Sequence, residues 1–204
     1  MSGYGDDHDD GFDDQMIDYD DMHDDIVIDD YDELDDDQDD DDEDEYEDAT
    51  PEEIDFVIAA YREDGAPVAI PLAKPLANDL EDLIDQLRRL PGDAGAVGFV
   101  SISQEFFVIV RVRGRNVQVL LNDSVAATDW PIARDVVDYL NLDVGEDDDS
   151  EPVGDLDILA DQGLSELDME AIAGNLDEDS DELVRQIVRH LGFEREFDEA
   201  VTEE

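Results

Sequence analysis

Residues 96–121, AVGFVSISQEFFVIVRVRGRNVQVLL, decide the fold. They make the longest apolar region in a chain whose formal net charge is −54. If Gly114 and Arg115 form a two-residue turn, Val112 lies opposite Val117, Val110 opposite Val119 and Val108 opposite Leu121. Those three apolar pairs share one face, while Arg111–Gln118 and Ile109–Leu120 share the other. Glycine in first place suits a type II′ hairpin, whose twist matches the strands it joins. A further strand enters through a turn near residues 103–105, giving a three-strand meander. The same stretch carries Arg111, Arg113 and Arg115, the densest positive cluster in the sequence.

Upstream, Thr50-Pro51-Glu52-Glu53 has the form of a helix start, with Thr as N-cap and Glu three residues on. The run that follows, Phe56–Tyr61, is β-rich, and Gly65-Ala66 then turns it into a second strand over 67–72. Pro67 and Pro71 place that second strand at a sheet edge, because proline cannot donate to a ladder. Asn78 is expected to cap a helix running to about Leu90, with Glu81 completing the capping box. Its apolar stripe is Leu80, Leu83, Ile84, Leu87 and Leu90, and Pro91-Gly92 ends it. After the meander, Asn122-Asp123-Ser124 breaks the pattern and a second helix runs from about Pro131 to Leu140. Trp130 at its entrance is read as a packing residue.

The order ββ-α-βββ-α predicts an α+β fold, an antiparallel five-stranded sheet with two helices over residues 54–141. Residues 142–153 read as an acidic linker, and 154–200 as a small helical unit with segments at 155–161, 165–176 and 179–191. Ser165 with Asp168, and Asp179 with Glu182, give its helix starts. So small a unit has little core of its own, so it is expected to dock on the sheet or on a partner.

Charge is unevenly spread. Residues 1–50 hold 27 Asp and Glu with no Lys or Arg; the rest of the chain carries 38 acidic and 11 basic groups. The first fifty residues cannot bury enough apolar surface to offset their ordering entropy, and they read as a disordered acidic tail. Such a tail is either solubilising or, with its scattered aromatics, a partner-binding segment. Direct nucleic-acid binding is disfavoured, since phosphate affinity rests on lysine and arginine. The absence of cysteine excludes disulfides, thiolate chemistry and cysteine-ligated zinc. No run approaches the roughly 20 apolar residues of a membrane span, and the N-terminus lacks the pattern of a secretory signal. A cytoplasmic location is the default expectation.

The search for chemistry is negative. His190 is the one histidine outside the tail, beside Arg189 near a helix end. The acidic run 177–181 has Glu182 where a calcium loop needs glycine, and Val188 where it needs its bidentate Glu. No phosphate loop is present. No catalytic residue, metal ligand or cofactor-binding residue is assigned. The remaining constellation is Arg111, Arg113 and Arg115, a possible interaction surface for a carboxylate-rich segment, the protein's own tail included. Otherwise these arginines keep a hairpin end soluble.

Four segments together resemble the actinobacterial family of tRNA adenosine deaminase-associated proteins: FVIAAYRED (56–64), VGFVSISQEFFVIVRV (97–112), PVGDLDILADQGLS (152–165) and DELVRQIVRHLGF (181–193). The likeness covers about residues 54–200 and leaves the acidic tail outside. It implies an accessory protein linked to a TadA-like tRNA adenosine deaminase and brings no catalytic residues with it. Two functions therefore stand side by side. One is a non-catalytic binding protein that engages that deaminase or another basic protein. The other is an acidic nucleic-acid mimic competing for a basic groove. A cryptic enzyme and a scaffold that dimerises through an edge strand are the remaining alternatives. If the tail folds back onto the three arginines, deleting residues 1–50 will shift the hairpin's amide resonances at low salt; unchanged spectra exclude that contact.

Overall fold

A computed structural model describes residues 47–92, 94–145 and 149–203; the acidic tail expected over 1–50 lies outside them up to residue 46. The chain is anchored earlier than that expectation has it. Ala49 is buried, and its N–H and C=O are both held by the side-chain amide of Asn78. Thr50 and Glu53 do form a capping-box turn, with Glu53 Oε2 accepting from both the backbone N–H and hydroxyl of Thr50 at 2.8 Å. These hydrogen bonds hold the Glu53 carboxyl below its usual range. The turn then opens directly into strand β1 (Ile54–Glu63).

β1 turns at Asp64-Gly65 into β2 (Ala66–Pro71), and helix α1 spans Leu80–Arg88. The meander follows as β3 (Ala96–Ile102), β4 (Phe106–Arg113) and β5 (Asn116–Leu121), then helix α2 (Pro131–Tyr139). β4 and β5 pair in the register expected from the sequence, Val112 with Val117, Val110 with Val119 and Val108 with Leu121. Gly114 has φ +61° and Arg115 does not enter the positive-φ region, as a type II′ turn requires.

Two expectations need correction. The cap of α1 is Asp79, whose carboxylate accepts from Asp82 N–H at 2.8 Å; Asn78 is occupied with Ala49. The sheet has six strands rather than five, because Val153 and Gly154, at the junction of the expected linker and helical unit, form β6 against β5. Gly154 sits at φ +109°, and a Cβ there would lie 2.3 Å from Val119 O, so glycine is required for this approach. The order is β2-β1-β3-β4-β5-β6, antiparallel throughout.

Both faces of the sheet are covered, which is why β3 and β4 read as continuous apolar runs rather than alternating ones. One face, including Val57, Val100, Val108, Val110 and Leu121, packs against α1 and α2. α1 sits close because Gly98 has no side chain; a Cβ there would meet Leu87 Cδ1 at 3.0 Å. The other face carries Phe56, Ile58, Phe99, Phe107, Ile109 and Leu120, and the C-terminal segment packs on it. That segment holds a 3-10 turn at Ala160–Gln162 and helices α3 (Glu166–Ala173), α4 (Ser180–Leu191) and α5 (Glu194–Glu203). Residues 155–161 are thus mostly turns, and the last helix lies beyond those expected. Glu43–Glu204 make one compact unit.

The sheet's edges are poor templates for a further strand. β2 carries two prolines and β6 is two residues long. At the centre of the second face, Phe197 of α5 meets Phe56 and Phe99 edge-on at 5.2 and 6.0 Å. Phe197→Ala is expected to cost about 3–5 kcal/mol and to move a single urea transition to lower concentration. A separate early transition for the C-terminal helices would show instead that they unfold independently of the sheet.

Candidate interaction surface

The antiparallel register sorts charge to the two ends of the sheet. The C-terminal ends of β1 and β4 and the N-terminal ends of β3 and β5 lie together. That end carries Arg62, Arg111, Arg113 and Arg115. Arg88 and Arg89 at the end of α1 lead into it, and Arg62 donates to Leu191 O at 2.7 Å, which brings the end of α4 alongside. The opposite end collects the turn 103–105, the loop after β5 and the start of α4.

The three sequence-predicted arginines divide by register. Arg111 points into the second face and is 2% exposed. Its guanidinium donates to both carboxylate oxygens of Asp161 at 2.5 and 2.8 Å, to Ile158 O at 2.6 Å and to Ala94 O at 3.3 Å. Arg113, half-exposed, reaches the same carboxylate at 3.3 Å. Arg115 is exposed in the turn and makes no ion pair among the described residues. The cluster holds an acidic segment of its own chain, 155–161, through Asp161; the tail up to residue 46 lies outside the described residues. Arg111 is therefore spent on an internal clasp, and only Arg113 and Arg115 face solvent.

The hydrogen bonds and charge of Arg111 hold the Asp161 carboxyl below its usual range. A carboxyl with a lowered folded-state pKa adds stability above its unfolded value, near 3.8, and loses it as pH falls through the folded value. Breaking the pair also strands a buried cation.

At the opposite end, α4 is fastened to the sheet by a buried polar chain. Ser101 Oγ donates to Asp55 at 2.8 Å and contacts Ser180 Oγ at 2.8 Å, while Ser180 N–H donates to Gln104 O at 3.0 Å. Asp55 also accepts from Gln104 N–H at 2.7 Å. This arrangement brings the loop 176–179 beside the 103–105 turn and leaves a cleft of about 420 Å³ between them and residues 123–130. Its apolar part is Phe106, Trp130 and Leu176; the Phe106 and Trp130 rings lie 5.9 Å apart. Leu176 is 42% exposed.

Six carboxylates line that cleft, and no cation does. Asp123 caps the 3-10 turn Ser124–Thr128 through Val125 N–H, and Asp129 accepts from the Thr128 hydroxyl. Glu178 receives only the Asn175 amide at 3.4 Å. Asp179 stands at the N-cap of α4 without capping it. Glu105 and Asp177 complete the set. The ion pairs among the described residues all lie elsewhere. Each carboxylate about 4 Å from an incoming cation contributes about 1 kcal/mol at the dielectric of water.

A second groove lies between α1 and α2, lined by Leu80, Ile84, Arg88, Asp135 and Tyr139. Burial pushes the Asp135 carboxyl up, although Leu80 N–H donates to it at 3.0 Å. That carboxylate serves the start of α1, so it is already employed. Among the described residues, no group of three or more His, Asp or Glu is disposed to hold a metal ion, and no helix is long and apolar enough to cross a membrane.

Residues 55–194 match the family model described as Rv3753c-like tRNA adenosine deaminase-associated protein. The chain is 34% identical over 142 residues to Protein Rv3753c of Mycobacterium tuberculosis strain H37Rv, covering 68% of this chain and 82% of that protein. No solved structure matches. The matched span holds the whole sheet except its first residue, the Arg111–Asp161 clasp and the acidic cleft.

Asp161→Ala is expected to destabilise the protein by about 1.5–3 kcal/mol at neutral pH. Its stability should also depend less on pH below about 4. Adding Arg111→Leu should recover part of the loss, because the stranded charge is then gone. Additive losses in that double variant would mean the two side chains are not coupled.

Proposed function

The chain belongs to the Rv3753c-like tRNA adenosine deaminase-associated protein family, and from that premise we propose that it is a non-catalytic accessory or regulatory protein which binds a basic protein partner in the cytoplasm. The partner best matched to the family's description is a TadA-like tRNA adenosine deaminase. Such an enzyme handles tRNA, so its substrate-facing surface carries the positive charge that phosphate binding demands.

The observation that carries this reading is the uncompensated acidic end of the folded unit. Nine of the ten arginines gather toward the other end or are tied into the C-terminal helices, and the strongest of their contacts are internal. A body polarised in this way steers a basic partner to one end, raising the association rate more than the affinity. The family match begins at residue 55, which supports the folded unit rather than the tail as the bearer of the shared role. A tail acting as a nucleic-acid mimic would work without that unit.

Full-length protein and a form starting at residue 43 should both retain a TadA-like deaminase at an ionic strength of about 0.01 M, where the screening length is about 30 Å. Retention should be lost at about 1 M, where that length is about 3 Å. Retention of the enzyme by residues 1–50 alone would favour the mimic, and no retention at any ionic strength would refute the partner.

A further inference from the structure

We propose that the cleft at the acidic end of the sheet is the docking site for an arginine-bearing segment of the basic partner. This rests on the reading above and names its surface. The floor is apolar and part-open, formed by Phe106, Trp130 and Leu176. The rim bears Glu105, Asp177 and Glu178, none with an ion-pair partner among the described residues.

Charge complementarity selects the occupant. A purely apolar helix would fill the floor but bury carboxylates without partners, which is costly. An acidic segment, the chain's own tail included, would be repelled. A lysine neutralises one carboxylate as a point charge. Arginine alone combines a planar face that stacks on the Trp130 ring with a fork of donors that meets carboxylates in pairs. Leucine or another aliphatic neighbour in the same segment would cover Leu176. The α1–α2 groove fits less well, because Arg88 lines it and Asp135 is bonded to Leu80.

The position is also built to stay in place. The loop carrying Leu176 and Asp177 is held between α3 and the start of α4, and Ser180 ties that start to Gln104. The two walls are thus joined by hydrogen bonds before any ligand arrives, which lowers the ordering cost of binding.

Trp130 is the chain's one tryptophan, so emission excited at wavelengths that tyrosine does not absorb reports this cleft. Full-length protein would be titrated with a capped six-residue peptide of alternating arginine and leucine, then with the TadA-like deaminase. Two triple variants of equal charge change would be compared: Glu105→Gln/Asp177→Asn/Glu178→Gln in the cleft, and Glu52→Gln/Glu81→Gln/Glu170→Gln away from it. We expect a saturable change in Trp130 emission, an apparent Kd at least about tenfold weaker in the cleft variant, and less than about a threefold change in the control. Circular dichroism and urea midpoints confirm that both variants are folded; a cleft variant that fails to fold is replaced by Leu176→Ser, which should weaken peptide binding likewise. Equal affinities for the two triple variants, or a silent tryptophan, overturn the docking site. Deaminase binding with Trp130 unmoved overturns the site and leaves the partner reading standing. Peptide binding in the cleft without deaminase binding does the reverse.

Discussion

One buried cation organises the second half of this structure. Arg111 lies buried near the C-terminal end of β4, one of the two central strands of a sheet covered on both faces. Taking a guanidinium out of water costs several kcal/mol unless charge and hydrogen bonds replace the solvent. Asp161 supplies the charge, and the carbonyls of Ile158 and Ala94 supply further acceptors. The segment 155–161 must therefore cross the sheet at this point. β6 and the Asp155 carboxylate, which accepts from Val119 N–H, hold it at the sheet edge just before it crosses. The three C-terminal helices follow from there onto the apolar positions of the second face. Phe197 meets Phe56 and Phe99 as a consequence of that path.

The same economy of cations shapes the surface. Eleven lysines and arginines serve 65 carboxylates, and several are used to fasten elements: Lys74 holds Pro51 and Ile54 carbonyls, Arg62 holds Leu191, and Arg185 joins Asp181, Glu182 and Asp198. Almost nothing is left for the end of the sheet where α4 begins. The partly positive N-terminus of α4 is the nearest compensation there. A charge-poor protein could tolerate such a cleft as an accident. Here it is the place where apolar surface, one indole and six unneutralised carboxylates coincide.

How far these features could be read in advance depends on how local their causes are. The β4–β5 register was legible because a two-residue turn, and the alternation of valine with Arg111, Arg113 and Gln118 beside it, act within fourteen residues. The cap of α1 was misplaced by one residue, since Asn78 and Asp79 are both good N-caps and only the position of Ala49 separates them. β6 was missed because two residues carry no periodicity, and α5 because Phe197, Ala200 and Val201 are sparse among acidic neighbours. The partner of Arg111 could not be chosen from so many carboxylates. A cation at an odd position of an otherwise apolar strand was the available signal that one was needed.

The sequence by itself determined the succession of the first five strands along the chain, the hairpin register, the two principal helices and the near-exclusion of cations from most of the chain. It did so because alternation, caps and composition are properties of neighbours along the backbone. Tertiary structure alone decided that both faces of the sheet are covered by the chain's own helices. It also decided that Arg111 is turned inward while Arg115 stays in solvent, and that an acidic cleft opens around Trp130. Each of those outcomes joins residues 25 to 80 positions apart or more, and such contacts are selected by which pairing satisfies buried charge and apolar area at once.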